Sequence, residues 1–323
     1  MGEGTILAVC SAKGGVGKTT ITANVGAALA TEFNKNVLLI DGNVTGANLA
    51  YHFGINYPKR TIADFDGRVD VKELIYSHSS GVKIIPGPVD LDSRIEPDQI
   101  TSIADAVKND YDVVLIDSAP NLGREAVTIL KASDSIVPIG TVDIPGITCC
   151  MKTVNMAKKL GKKVHGLVLN KVARKSYELT KDEIASMCGG NKILSYIPES
   201  VEIPKSLALQ QPLVLRKPNH PVSIEFKKIA AHIIGNRYEH VGLWHRLREL
   251  LGIVKLEKET VARKGLEKSK MVEYVVKEVL DIEKLKSELA EEVRAELKKG
   301  IKEDIKQDLV RKLKEKLKER GLE

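Results

Sequence analysis

The chemistry in this chain is concentrated in Ala-Lys-Gly-Gly-Val-Gly-Lys-Thr-Thr at residues 12–20, which follow the apolar run Ile6–Val9 and precede the helical stretch Ile21–Ala30. Gly14, Gly15 and Gly17 let the backbone turn tightly around Val16, so that successive N–H groups can face phosphate oxygens at the positive end of the following helix. Lys18 is placed to neutralise β- and γ-phosphates. The Thr19 hydroxyl can ligand Mg²⁺, and Thr20 completes the cradle. Strand, glycine-rich loop and helix occur in the order that a phosphate loop requires, which a chance glycine turn would not supply.

Carboxylates recur at the ends of other apolar runs: Asp41 after Val37–Ile40, and Asp117 after Val113–Ile116. A carboxylate at a strand end facing the phosphate loop can hold Mg²⁺ through water. Asn170 closes Leu-Val-Leu-Asn, and Pro198 and Glu199 close Tyr-Ile-Pro-Glu. An Asn amide can both donate and accept hydrogen bonds.

The elements that must carry these groups are short Val/Ile/Leu runs separated by helical stretches: Ile6–Val9, Val37–Ile40, Val82–Ile85, Val113–Ile116, Ser135–Ile139, Val164–Leu169 and Ile193–Ile197. Continuous apolar runs of this length are strands buried on both faces, and their alternation with helices predicts an α/β, doubly wound, mainly parallel sheet with helices on both faces. Ligands of such sheets bind at the carboxyl ends of the strands, where the residues named above fall.

The stretch Lys13–Thr19 matches K-G-G-x-G-K-[ST] residue for residue and resembles the deviant Walker A ATPases, the family of the MinD and ParA proteins. The resemblance runs from residue 4 to about residue 235 and includes Asp117-Ser-Ala-Pro-Asn-Leu-Gly-Arg-Glu-Ala, which looks like the family's second switch. Together with Asp41-Gly-Asn-Val-Thr-Gly-Ala-Asn-Leu it is most similar to the archaeal MinD-like branch. The resemblance implies a P-loop NTPase fold with ATP and Mg²⁺ as cofactors, Thr19, Asp41 and Asp117 near the metal, and Asn170, Pro198 and Glu199 around the base. It also implies that Lys13 reaches a partner subunit's ATP, which makes hydrolysis depend on an ATP-dependent homodimer.

One position departs from the family pattern. The first switch usually reads Asp-x-Asp, its second carboxylate orienting the attacking water, whereas this chain has Asp41-Gly42-Asn43. An amide has nearly the same shape but cannot usefully accept a proton, so nucleotide binding is expected to survive and hydrolysis to slow. The intact surroundings favour a deliberate Asp→Asn replacement over natural attenuation.

Past residue 238 the composition changes. The expected division is an ATPase domain at 1–238, an amphipathic helix at 239–254 and a charged helical tail at 255–323. Leu243, Trp244, Leu247, Leu250 and Leu251 share one face of the amphipathic segment, opposite His245, Arg246, Arg248 and Glu249. Such a helix can lie in an anionic lipid surface or pack on protein, and it resembles the membrane-targeting helix of MinD proteins. In the tail, apolar residues from Leu285 to Leu317 recur every fourth position. This stripe drifts about 40° per step and so cannot form one straight two-stranded coiled coil. It suits a solvated helical surface, or an arm that stabilises the dimer or binds a protein partner.

A net charge of +7 over 323 residues is only mildly basic. It leaves nonspecific DNA, in the manner of the ParA proteins, as an alternative surface, and a nucleotide-assembled scaffold as a third reading. The four cysteines form no C-x-x-C pair, which argues against an Fe–S or structural zinc role. No run approaches the roughly 18 apolar residues of a membrane span. The expected location is cytoplasmic, or peripheral at the inner face of the cell membrane.

Overall fold

The structure, a computed structural model, describes residues 4–88, 97–120 and 122–238. The chain divides into two units, Met1–His240 and Val241–Glu323. All described residues belong to the first. The amphipathic segment with Trp244, the tail stripe and the surfaces expected of them lie outside the described residues.

The strands are β1 (Thr5–Cys10), β2 (Val37–Gly42), β3 (Tyr76–Ser77), β4 (Lys83–Ile85), β5 (Val113–Ser118), β6 (Ser135–Thr141), β7 (Lys163–Val164), β8 (Leu167–Val172) and β9 (Ile193–Pro198). The helices are α1 (Lys18–Glu32), α2 (Pro97–Val107), α3 (Arg124–Ala132), α4 (Ile144–Lys159), α5 (Lys181–Met187), α6 (Glu202–Ala208), α7 (Leu213–Arg216) and α8 (Pro221–Ile233). One nine-stranded sheet runs β3-β4-β2-β5-β1-β6-β8-β9, with β7 beside β6. Every pairing is parallel except β3 with β4.

Strand residues alternate between two cores because successive side chains leave a strand on opposite faces. Leu7, Val9, Leu39, Leu115 and Val137 pack with α1 and α8, while Ile6, Ala8, Leu38, Ile40, Val114 and Ile116 pack with α2 and α3. Helix α1 lies between the sheet and α7/α8, which is why it is apolar around most of its circumference and buries Ile21, Ala23, Val25, Ala27, Ala28 and Leu29. Its first turn is thereby fixed against the sheet.

Every apolar run read from the sequence contributes a strand, but the bounds move. The expected strand Val164–Leu169 is split into β7 and β8 by Gly166, whose φ of 137° turns the chain there. A Cβ on Gly166 would meet the Lys192 carbonyl at 2.8 Å. Strands β2, β5 and β8 also run past their apolar cores, so Asp41 and Asp117 are next-to-last and Asn170 third from last in their strands. Strand β3, two residues long and antiparallel, has no periodic signal to reveal it.

Candidate functional site

The central strands β2, β5, β1, β6 and β8 end side by side and bring residues far apart in sequence around one loop. That loop, residues 11–17, leaves β1 and enters α1. Gly15 and Gly17 hold the left-handed conformation, φ 71° and 96°, which side-chain-bearing residues rarely adopt. Gly14 needs no such freedom, and a Cβ there would make only an ordinary 3.7 Å contact with Pro120. Val16 is buried beneath the loop. The Ala12 N–H donates to Thr153 Oγ1 of α4 at 3.0 Å, and Asn170 Nδ2 donates to the Val16 carbonyl at 2.7 Å. Loop, helix α4 and strand β8 are thus tied together.

Lys18 opens α1 with only 7% of its surface exposed. Burial depresses its pKa, while the Asp117 carboxylate and Cys10 oppose that shift. Its ammonium makes no hydrogen bond among the described residues. Thr19 Oγ1 donates to Asp117 Oδ2 at 2.5 Å, and Thr22 Oγ1 to Asp117 Oδ1 at 3.4 Å. The Thr20 carbonyl accepts from Asn24 Nδ2 at 2.8 Å.

Asp41 and Asp117 are directly paired across β2 and β5. Both are fully buried. Burial, and then the neighbouring Asp41, pushes Asp117 up to about 8, and burial pushes Asp41 up to about 6 against three backbone amides. Those amides belong to Asn43, Asn48 and Leu49, at 3.1, 2.9 and 2.9 Å. Asp41 therefore gathers the loop after β2, with both its oxygens engaged by backbone, whereas Asp117 faces Thr19.

Asn43 sits at the start of that gathered loop. Its Nδ2 donates to the Gly46 carbonyl at 2.8 Å, and the Gly46 N–H returns to the Asn43 carbonyl at 3.2 Å. Asn43 Oδ1 is shielded from solvent and accepts no hydrogen bond among the described residues. The amide thus has a structural use that a carboxylate could not serve, since aspartate cannot donate to Gly46.

Lys13 turns back on its own chain. Its Nζ lies 3.1 and 3.2 Å from the Asp143 carboxylate and 3.3 Å from Thr141 Oγ1. Partial burial pushes the Asp143 pKa up, but hydrogen bonds from Thr141 and Gly146, together with Lys13, hold it below the ordinary carboxylate range. Asp143 also caps α4 through the Gly146 N–H at 2.6 Å. Sequence reasoning passed over Asp143. Its signal was available in Thr-Val-Asp-Ile-Pro-Gly after an apolar run, a strand end followed by an N-cap and a proline.

Asn170, Pro198 and Glu199 lie together at the ends of β8 and β9. Pro198 pairs with Val172, whose carbonyl accepts the Glu199 N–H at 3.0 Å. Hard oxygen donors, a buried cation and a helix N-terminus make the whole array suited to a polyphosphate with a divalent cation.

Residues 7–213 match the CobQ/CobB/MinD/ParA nucleotide binding domain. An uncharacterized ATP-binding protein of Methanocaldococcus jannaschii is 31% identical over 236 residues, covering 72% of this chain and 89% of that protein. Among solved structures, the cell division ATPase MinD of Pyrococcus furiosus superposes with a TM-score of 0.68 at 29% identity, over 72% of this chain and 99% of that one. The septum site-determining protein MinD of Pyrococcus horikoshii, solved with Mg-ADP, gives a TM-score of 0.67 at 29% identity, over 71% and 95%. The chain belongs to the CobQ/CobB/MinD/ParA nucleotide-binding family and is an ATPase of the MinD/ParA kind.

Proposed function

We propose that this ATPase is a Mg-ATP-dependent molecular switch that dimerises around two nucleotides and positions partner proteins, as a MinD protein would. The observation that carries the reading is the contact of Thr19 with Asp117 beside the buried Lys18, whose ammonium has no hydrogen bond among the described residues. The buried Asp117 carboxyl and the Thr19 hydroxyl that meets it at the phosphate loop are the donor set that a Mg²⁺ ion shared with substrate phosphates would use. The residues present fit that ion, which when bound would offset the negative charge of the γ-phosphate. Thr19 and Asp117 would hold it; Asp41 would act through the loop it gathers.

In this reading the amides of Gly14–Thr20 and the Lys18 ammonium bind the triphosphate, and Asn170, Pro198 and Glu199 surround the base. Lys13 is the group that reaches the second subunit. Its pair with Asp143 leaves the two side chains 35% and 44% exposed, so undocking costs less than about 1 kcal/mol. Asn43 slows hydrolysis, so that the ATP state persists. A peripheral position at the cell membrane, through the segment containing Trp244, is the setting in which such a switch would act.

Light scattering with and without Mg-ATP tests the dimer. The parent chain is expected to double its mass with ATP. Lys13→Ala is expected to bind ATP within a few-fold of the parent yet stay monomeric. A variant that dimerises as tightly as the parent would remove Lys13 from the interface and the switch with it. Flotation on anionic liposomes, run beside DNA retardation over a salt series, separates the membrane setting from DNA, because phosphate-backbone binding falls steeply with salt.

A further inference from the structure

Beyond a place beside the base, the geometry points to Asn170 as the positioning residue of the phosphate loop: its amide is a strut from β8 that holds the Val16 carbonyl and presets residues 14–17 for phosphate. This inference rests on the nucleotide site proposed above.

Three observations carry it. The Asn170 Nδ2 to Val16 carbonyl bond, at 2.7 Å, spans 154 residues and joins the strand nearest the proposed base to the centre of the loop. Gly17 leaves the room that this amide occupies, since a Cβ there would lie 2.3 Å from Asn170 Nδ2 and 3.6 Å from Asn170 Cγ. Asn170 is itself held firmly. It stands opposite Thr141 in the β6–β8 register, and the next residue, Lys171, takes a positive φ of 58° where the β8–β9 register shifts. A residue kept at a strand end by a strained neighbour and an irregular ladder is over-determined by its surroundings.

The consequence is physical. The Val16 carbonyl lies among backbone N–H groups that must converge on an anion, and a carbonyl pointing into that cradle would repel it. By engaging Val16, the amide keeps the acceptor turned aside before any nucleotide arrives. Asn170 Oδ1 has no partner among the described residues and stays free for the base. One side chain then serves both ends of the nucleotide.

The test uses a ligand without a base. Binding of Mg-tripolyphosphate and Mg-ATP to the full chain is measured by calorimetry for the parent, Asn170→Ala and Asn170→Asp, with thermal melts as a control for folding. Asn170→Ala is expected to melt within a few degrees of the parent and to weaken both ligands by a similar factor, roughly five- to tenfold. If Asn170 served the base alone, only ATP binding would weaken, and the inference would be overturned.

Asn170→Asp supplies a second readout. Its protonated carboxyl can donate to the Val16 carbonyl and its ionised form cannot, so it is expected to bind tripolyphosphate more tightly than Asn170→Ala near about pH 4 and more weakly at neutral pH. Affinity that never exceeds that of the alanine variant would reduce the effect to charge and count against the strut. A parent chain that binds ATP but not tripolyphosphate would show that the loop is not preset and would also overturn it. Failure of the parent to bind either ligand would instead remove the nucleotide site on which the inference stands.

Discussion

Replacing Asn43 by aspartate should make the protein less stable without nucleotide and faster with it. The first effect follows from the turn at residues 43–46. Asn43 Nδ2 donates to the Gly46 carbonyl at 2.8 Å, and Oδ1 is shielded with no partner among the described residues. A carboxylate cannot make that bond and sets a charged oxygen against a carbonyl, a loss of about 1–2 kcal/mol at this partly exposed position. For a domain of this size that corresponds to a melting temperature lower by about 2–8 °C. The second effect concerns the attacking water. A correctly placed base contributes about two to four orders of magnitude, or roughly 3–5 kcal/mol of barrier. Single-turnover hydrolysis of Asn43→Asp and the parent, followed with saturating Mg-ATP and paired with melts, measures both. Faster turnover from a less stable protein is the expected pair of results. Unchanged turnover with lowered stability would mean that Asn43 serves the turn alone and that hydrolysis is controlled elsewhere. Unchanged values of both would contradict the loop geometry itself.

His52 is buried, and burial lowers its pKa to about 4 from an ordinary value near 6.5. The folded state therefore keeps it neutral: its contribution is complete above about pH 6.5 and is lost as pH falls towards 4, a change of roughly 3 kcal/mol. His52→Gln should flatten the stability profile over that window, and denaturant melts with an unchanged acid slope would contradict the assignment. Gly26→Ala in α1 would bring a Cβ to 2.5 Å from Leu39 Cδ2 at the face where the helix meets β2. Despite the better helix propensity of alanine, overpacking should cost about 1–2 kcal/mol, read from the same melts, and a stabilised variant would mean that the helix does not press on the sheet as described.

The sheet was legible because its strands are buried on both faces: each becomes a continuous apolar run, and each loaded residue falls at the end of one. The phosphate loop was legible because its glycines, lysine and threonine are contiguous and depend only on the strand and helix that flank them. What escaped depends on register between distant strands. That Asn170 stands opposite Thr141, and so beside the loop at Val16, follows from β8 pairing with β6. That Lys13 finds Asp143 follows from β6 lying next to β1. Neither pairing is encoded in periodicity. Asp41 shows a subtler gap, since its strand-end position suggested a metal site, whereas three backbone amides from its own downstream loop converge on it. The split at Gly166 was hidden because a single glycine inside an apolar run is equally compatible with a continuous strand.

The central claim is that Lys18, opening α1 beside Asp117, is the cation that holds a triphosphate. Calorimetric titration of Mg-ATP into the parent and into Lys18→Ala tests it most directly, with melts to show that both are folded. The parent should bind with one site per chain, and the variant should show no measurable binding, because Lys13, the other cation of the loop, is turned to Asp143 and does not replace the buried ammonium. An affinity in Lys18→Ala equal to that of the parent would contradict the account and move the nucleotide away from residues 13–20.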